Sequence, residues 1–382
     1  MQKRWDIFCN VVDNYGDAGV CWRLARQLAA EFDIQVRLWI DDLSALQKLQ
    51  PAIAAERTIQ QVDLVEIRQW RHPFPESIDA ADVVIEAFAC ALPPAYLAAM
   101  RARRSLSINL EYLSAEEWVA GCHTLPSPQS GSSPSNDALR RFFFFPGFAA
   151  NTGGVLGERD LCARRRAFKR DAAARQIFLQ RIGIASTAAD AMLVSLFCYA
   201  SAPIKPLLHA WAANVRPVVC LVPEGQPLSA VADFFGEDLA PGAVCRRGAL
   251  TAIAVPFLSQ LDYDYLLWCC DLNFVRGEDS FVRAQWAALP FVWQIYAQAE
   301  RAHWPKLDAF MQIYRAELEP DTAVALTAFW QAWNGEGNIA ATWPAFEHAL
   351  PALRAHAQRW ADRLETGANL AAALVQFCAN QV

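Results

Sequence analysis

The sequence predicts an α/β protein of two domains, each built on a mostly parallel sheet. Its 382 residues exceed what one hydrophobic core usually supports, so two domains of ordinary size are expected. Short apolar runs alternate with segments of helical spacing, which is typical of βα units and parallel sheets. The alternation begins at the N-terminus and starts again near residue 192, and we therefore expect two Rossmann-like halves.

The first half opens with a strand, a loop and a helix. Residues 5–12 are almost all apolar, the loop DNYGDAG follows at residues 13–19, and residues 20–32 are amphipathic. Further strands are predicted at residues 34–40, 64–67, 83–88 and 105–110, and helices at residues 43–50 and 94–103.

Two irregular segments follow the first set of units. Residues 126–136, PSPQSGSSPSN, cannot hold regular structure, and we interpret them as a mobile surface loop. They lead into FFFFPGF at residues 142–148, which predicts a buried strand or a lining of the cleft. Residues 151–181 contain the basic run RRR at 164–166. We interpret this segment as the connection between domains and its basic run as a solvated helix face.

The second half repeats the alternation and then becomes helical. Strands are predicted at residues 192–199, 217–222, 253–258, 272–275 and 290–296, and helices at 305–317, 322–334, 343–364 and 370–377. By analogy with related folds, we expect the last helix to pack on the first domain. The predicted domains are residues 1–182 with 365–382, and residues 183–364.

Composition excludes several classes of function. The net charge of -6 argues against a nucleic-acid partner, whose binding surface would be basic. The 11 cysteines form no C-x-x-C pair and suit a reducing cytoplasm, and the histidines show no metal-ligand spacing. No signal peptide is apparent at the N-terminus, and no run reaches the roughly 18 apolar residues that span a bilayer. We expect a soluble cytoplasmic protein without a membrane partner.

The loop after the first predicted strand places two carboxylates four residues apart. Gly16 and Gly19 remove side-chain bulk, so a substrate backbone or phosphate can approach. The G-x-G-x-x-G spacing of dinucleotide-binding proteins is absent, which disfavours an oxidoreductase. Two interpretations remain open. Asp17 is a base or an orienting group near a cation, or Asp13 forms a turn and Asp17 caps the helix.

The turn from Arg276 to Ser280 joins a buried strand to a helix. Gly277 permits a tight bend, and Asp279 or Ser280 can cap the helix. Ligands of open α/β sheets bind at the C-terminal ends of strands, where Arg276, Glu278 and a helix N-terminus would suit a phosphate. The alternative is an ordinary capped turn.

Aromatic residues end two predicted strands of the second half. Phe197 and Tyr199 end one strand, and Phe257 ends another, three residues before Gln260. These rings could sandwich a flat base while Gln260 contacts its edge, or they could be core residues.

Two long motifs resemble one family. DNYGDAGVCWRLARQL at residues 13–28, and NFVRGEDSFVRAQW at 273–286 followed by PFVWQIY at 290–296, strongly resemble the bacterial protein-arginine rhamnosyltransferases that modify elongation factor P. The resemblance extends over nearly the whole chain. It implies a GT-B glycosyltransferase, with two Rossmann-like domains facing across a cleft and a helical C-terminal tail.

The resemblance also implies a reaction. L-rhamnose would move from dTDP-β-L-rhamnose to a single arginine, in a loop of the N-terminal domain of elongation factor P, with inversion and without a metal or other cofactor. The modification would activate elongation factor P for translation of polyproline stretches.

Residue roles follow from the same resemblance. Asp17 would be the general base, Asp13 would face the acceptor, and Glu278 would be a second essential carboxylate. Thymine would lie against Phe257 with Gln260 at its edge. The other donor-binding positions are Asn14, Tyr15, Gly16, Gly19, Phe197, Tyr199, Arg276, Glu278, Asp279, Ser280 and Tyr296, and the turn with Arg276 would hold the diphosphate.

Two alternatives remain. A GT-B transferase with another nucleotide sugar and a small or lipid acceptor would favour a basic, apolar face on the first domain, which the sequence does not show. A non-catalytic protein that binds elongation factor P would not need the acidic loop, which is present here.

Overall fold

The computed structural model describes residues 3–13, 15–75, 78–127, 139–184 and 190–381. The chain forms two compact units. The first is discontinuous and comprises Met1–Arg159 with Gly367–Val382, whereas the second comprises Asp160–Thr366. Each unit contains one sheet.

The elements are numbered in chain order. The strands are β1 (Arg4–Cys9), β2 (Gln35–Ile40), β3 (Ile59–Val62), β4 (Val65–Gln69), β5 (Val83–Ala87), β6 (Leu106–Leu110), β7 (Arg140–Phe144), β8 (Met192–Leu196), β9 (Val218–Pro223), β10 (Val244–Arg247), β11 (Leu250–Val255), β12 (Leu272–Arg276) and β13 (Phe291–Gln294). The helices are α1 (Gly16–Phe32), α2 (Leu43–Leu49), α3 (Pro94–Arg103), α4 (Trp118–Cys122), α5 (Leu161–Arg170), α6 (Ala172–Arg181), α7 (Ile204–Ala212), α8 (Pro227–Phe235), α9 (Gln260–Cys269), α10 (Asp279–Trp286), α11 (Trp304–Arg315), α12 (Pro320–Trp333), α13 (Ile339–Thr366) and α14 (Leu370–Gln381), with a 3-10 turn at Ala299–Arg301.

The first sheet has seven strands in the order β3-β4-β2-β1-β5-β6-β7. All neighbours are parallel except β3 and β4. Every residue of β5 and β6 is buried, as expected for central strands of a parallel sheet. Strand order reverses beside β1, which pairs with β2 on one side and β5 on the other. Such a reversal is where open α/β sheets bind ligands.

The second sheet has six strands in the order β10-β11-β9-β8-β12-β13. Only β10 runs antiparallel to its neighbour. The order reverses between β8 and β12, which pair directly. The second unit therefore also has a switch point, and it lies beside the strand that leads into the turn after Arg276.

The helical tail divides between the two units. Helices α11 to α13 belong to the second unit, where Phe310 packs against Phe281 of α10 with ring centroids 4.6 Å apart. Helix α14 belongs to the first unit. A parallel bridge joins Val155 to Asn369, and a Cβ on Gly154 would lie 2.0 Å from the carbonyl oxygen of Ala368. Only glycine fits this close approach.

The sequence placed the boundary between the domains at residue 182, whereas the structure divides the units after Arg159. Segment 160–182 joins the second unit because its aromatic residues pack there. Phe168 of α5 lies against Tyr265 and Trp268 of α9, with ring centroids 4.8 and 5.9 Å apart.

The interpretation of the basic run as a solvated helix face is wrong for its central residue. Arg165 is only 1% exposed, and its guanidinium donates to the backbone carbonyl of Trp286. Arg166 is exposed and forms two hydrogen bonds with Glu365, at 2.8 and 2.7 Å. The buried carbonyl satisfies one end of the Arg165 guanidinium, whose Nη2 is buried without a hydrogen bond to the described residues.

The ten predicted strands are confirmed within a few residues. The edge strands β3 and β10 were not predicted, because they are short and half-exposed and lack an apolar run. The predicted loop at 126–136 lies almost entirely outside the described residues, and the apolar run at 142–148 enters β7.

Candidate functional site

Several predicted site residues lie next to the switch points of the two sheets. In the first unit, the loop with Asp13 follows β1. In the second unit, Phe197 and Tyr199 follow β8, and Arg276 ends β12. Each group therefore lies at the C-terminal ends of parallel strands, where ligands bind in such folds.

The guanidinium of Arg276 lies between two aromatic rings. Its central carbon is 4.7 Å from the ring centroid of Phe197 and 4.5 Å from that of Tyr199. Arg276 is 7% exposed, and its Nη1 is buried without a hydrogen bond to any of the described residues. Within the described residues, ring faces rather than a carboxylate hold the cation, so its N–H groups are suited to an anionic ligand.

The turn after Arg276 is fixed by its own side chains. Gly277 has a φ of 59°, a conformation that favours glycine, and Trp293 donates its indole N–H to the Gly277 carbonyl at 2.7 Å. The hydroxyl of Ser280 contacts both the backbone N–H and the carbonyl of Arg276. Neither Asp279 nor Ser280 is the helix cap that the sequence suggested. Glu278 occupies the N-cap position without a side-chain cap hydrogen bond.

The start of α9 meets the start of α10. Gln260 donates its amide N–H to Asp279 Oδ2 at 3.2 Å, so two residues predicted to bind the donor are in direct contact. Phe257 is half-buried and lies in the loop between β11 and α9, because β11 ends at Val255. The structure therefore places Phe257 beyond the end of its strand, not on it.

Tyr263 of α9 was missed by sequence reasoning. Its ring meets Phe197 edge to face, with centroids 5.6 Å apart. Its hydroxyl is buried and makes no hydrogen bond within the described part of the chain. Burial raises the pKa of this phenol, so it is a neutral hydrogen-bond donor. Tyr263 lies three residues after Gln260 in the same helix, and this spacing was the feature of the sequence that could have identified it.

Tyr296 lies two residues beyond β13, and it is 45% exposed. Its ring contacts that of Tyr199 edge to face at 5.6 Å. The backbone N–H of Tyr199 donates to the side chain of Gln294 at 2.7 Å. Strands β8, β12 and β13 therefore bring Phe197, Tyr199, Arg276 and Tyr296 into one connected group.

Asp17 is fixed by hydrogen bonds to both carboxylate oxygens. Oδ2 accepts from the backbone N–H groups of Val12 and Asp13, each at 2.9 Å, and Oδ1 accepts from the Tyr112 hydroxyl at 3.2 Å. Asp17 is 2% exposed. It lies inside the first turn of α1, which begins at Gly16 rather than near residue 20. The side chain does not cap the helix N-terminus but holds the loop that precedes it.

Asp13 and the two glycines lie at the start of α1. A Cβ on Gly16 would be 2.9 Å from Asp13 Oδ2, so glycine leaves room for that carboxylate. Gly19 is buried, and its N–H donates to the carbonyl of Tyr15 at 2.8 Å. Gly16 and Gly19 are thus helical, not loop residues. Asn14 lies outside the described residues.

Tyr112 and Phe88 were also missed in the first unit. Their rings stack with centroids 4.2 Å apart and planes 11° apart. Phe88 and Ala89 follow β5 with φ of 58° and 55°, and two successive left-handed non-glycine residues store backbone strain. Sheet topology brings these residues to Asp17 from strands distant in sequence, so no local motif could reveal them.

The described ranges contain neither a cluster of metal ligands nor a membrane-spanning helix. No group of three or more His, Cys, Asp and Glu side chains there could hold a metal ion. No helix there is long and apolar enough to cross a bilayer.

The sequence resembles one family over nearly its full length. A family model described as "Elongation-Factor P (EF-P) rhamnosyltransferase EarP" matches residues 5–379. The protein-arginine rhamnosyltransferase of Pseudomonas putida is 49% identical over 385 residues, which cover 100% of both chains. That of Pseudomonas aeruginosa is 50% identical over 383 residues, which cover 98% of this chain and 99% of the relative.

Solved structures give the same picture. One, described as "Structural basis for EarP-mediated arginine glycosylation of translation elongation factor EF-P", has a TM-score of 0.70 at 38% identity and covers 100% of both chains. The calicheamicin glycosyltransferase CalG4, at 13% identity and a TM-score of 0.50, shares the fold alone. The predicted GT-B class is confirmed.

Proposed function

Because this chain belongs to the family of elongation factor P rhamnosyltransferases, we propose that it transfers L-rhamnose from dTDP-β-L-rhamnose to one arginine of elongation factor P. The transfer inverts the anomeric carbon and uses no metal. The modified factor then supports translation of polyproline stretches in the cytoplasm.

The observation that carries this proposal is the guanidinium of Arg276 between Phe197 and Tyr199. It presents buried N–H groups at the end of β12, immediately before the turn that starts α10. A diphosphate accepts charge-assisted hydrogen bonds from such a group, and the positive end of the helix dipole adds to the attraction. The departing dTDP is thereby stabilised by protein groups, without a metal ion.

The base of the nucleotide binds beside α9 in this proposal. Phe257 supplies a half-buried ring, and Gln260 is held by Asp279 so that its amide oxygen is oriented for the edge of thymine. Tyr296 contributes a second, exposed contact for the diphosphate. Glu278, at the N-cap of α10, orients the donor or the acceptor as the second essential carboxylate.

Asp17 is the proposed general base. An arginine guanidinium has a pKa above about 12 and cannot be deprotonated in advance, so a proton must leave as the new bond forms. A carboxylate is suited to orient the guanidinium and to accept that proton. Backbone N–H groups and Tyr112 already fix Asp17 in one orientation, which reduces the reorganisation needed in the transition state. Asp13 faces the acceptor from the loop that Asp17 holds.

Inversion follows from a single displacement. The acceptor nitrogen attacks the anomeric carbon from one face of the sugar while dTDP leaves from the other, by analogy with inverting glycosidases. The bond to the diphosphate oxygen breaks as the nitrogen–carbon bond forms, and Asp17 takes the proton.

Intact-mass analysis of elongation factor P tests this function. After incubation with this protein and dTDP-rhamnose, we expect a gain of one deoxyhexose on a single arginine. Transfer from a different nucleotide sugar, or to a small or lipid acceptor alone, would replace the proposed substrates. Binding of elongation factor P without any mass gain would instead support a non-catalytic role.

A further inference from the structure

Helices α9 and α10 each present a predicted donor-binding group at the N-terminal end. Gln260 begins α9, Asp279 begins α10, and their side chains are hydrogen-bonded at 3.2 Å. The position of these groups therefore depends on how the two helices are held along their length. Every residue of α10 except Asp279 is buried, so the helix is enclosed by protein.

Cations from α5 and α6 contact the opposite ends of the same two helices. Arg165 donates to the carbonyl of Trp286, the last residue of α10, and Lys169 donates to the carbonyl of Ala287 at 3.0 Å. Arg175 donates to the carbonyl of Cys269, the last residue of α9, at 3.1 Å. We call Arg165, Lys169 and Arg175 the basic clamp.

The positive charge of the clamp suits the helix C-termini that it contacts. The last carbonyls of a helix lack intrahelical partners and carry the negative end of the helix dipole, so cations there satisfy and stabilise them. Helix α5 is itself anchored, because Arg166 binds Glu365 of α13 through two hydrogen bonds and Phe168 packs on α9. Arg165 and Lys169 therefore lie on a helix that is itself bonded to α13 and packed on α9.

We propose that the basic clamp is a set of positioning residues for the transfer reaction, which fixes α9 and α10 so that Gln260 and the turn at Arg276 stay in donor-binding geometry. The proposal rests on the proposed function, since it assumes that dTDP-rhamnose binds at that turn. It gives Arg165, the central residue of the basic run, a role that neither donor nor acceptor contact supplies.

The test compares Arg165→Met with Arg165→Lys, and Lys169→Met with Lys169→Arg, in the full-length protein. We expect each methionine variant to raise the Kd for dTDP-rhamnose by about 3-fold or more, as remote positioning effects do, while the KM for elongation factor P stays within 2-fold of wild type. The conservative variants should restore part of the loss. Arg170→Met, an exposed change on the same helix, is the matched control.

Calorimetry gives the Kd, and thermal unfolding shows that each variant is folded. If Arg165→Met does not fold, Lys169→Met decides the question, since the Lys169 side chain reaches the surface and methionine keeps most of its length. Donor affinity equal to that of the control in a folded methionine variant would overturn the clamp, as would an equal loss for donor and acceptor. Failure of the wild-type protein to bind dTDP-rhamnose would overturn the proposed function and the clamp with it.

Discussion

Replacing Arg276 by methionine should weaken donor binding while the stability of the fold stays nearly unchanged. In the folded protein, the guanidinium is stabilised by the ring faces of Phe197 and Tyr199, at about 0.5–1 kcal/mol for each ring. Its buried Nη1 makes no hydrogen bond to the described residues, which costs about 1–3 kcal/mol. These contributions nearly cancel. Methionine can occupy the space between the rings without a charge, so the free energy of unfolding should change by less than about 1 kcal/mol.

Donor affinity should respond very differently. A charge-assisted hydrogen bond to a phosphate is worth about 1.5–3 kcal/mol, so the Kd for dTDP-rhamnose should rise by roughly 10- to 150-fold. The Kd of Arg276→Lys should lie between those of the wild type and Arg276→Met, because an ammonium keeps the charge and loses the planar pair of donors.

Calorimetry with dTDP and dTDP-rhamnose measures this effect, and thermal unfolding without ligand measures stability. Arg246→Met, an exposed change on β10 of the same unit, is the matched control. A Kd within 3-fold of the control would refute the diphosphate role. A fall in Tm of more than about 4 °C would show that Arg276 serves the fold instead.

Three further predictions concern the first unit and the tail. Asp17→Asn removes the proposed base but keeps an oxygen for the N–H groups of the loop. The rate of transfer in a mass assay should therefore fall by about 10²- to 10⁴-fold, while the donor Kd from calorimetry stays within 2-fold of wild type. A large loss of donor affinity would contradict the base assignment. Tyr112→Phe keeps the stack on Phe88 and removes only the O–H, so kcat should fall by about 5- to 15-fold with little change in donor Kd, and an unchanged kcat would exclude a role for that hydrogen bond. Burial lowers the pKa of His356, whereas the unfolded chain binds a proton on this ring below about pH 6.5, so the free energy of unfolding should fall as pH drops below that value, by up to about 1.4 kcal/mol per pH unit. His356→Phe should make the decline in Tm less steep. An unaltered decline would assign it to other groups.

The sequence predicted the parallel sheets because their strands are buried on both faces and show as continuous apolar runs. Strand β9, VVCLVP, is an example, with all six residues buried. Strand β10, VCRR, has three exposed residues and no such run, so only its antiparallel pairing with β11 reveals it. Edge strands of this kind are defined by a neighbour that the local sequence does not specify.

The residues of the candidate site also divide into those that the local sequence predicts and those that only the fold reveals. Arg276, Gly277 and Ser280 were predictable because a strand, a bend and a helix follow one another along the chain. Tyr112 was not, because its contact with Asp17 joins residues 95 positions apart. Arg165 was misjudged for a related reason. A run of arginines usually lies in solvent, and only the packing of α5 within the second unit shows that its central member meets a buried carbonyl.

The discontinuous first unit has a consequence for the order in which the protein is made. A ribosome releases residues 1–159 long before Gly367–Val382, so the strands of the first sheet emerge while α14 has not been synthesised. Until then, Gly154 has no Ala368 carbonyl to approach, and Val155 has no bridge to Asn369. The second unit is contained in one continuous segment, Asp160–Thr366, and it can complete its fold first. The first unit can therefore be completed only after the whole of the second unit has been synthesised.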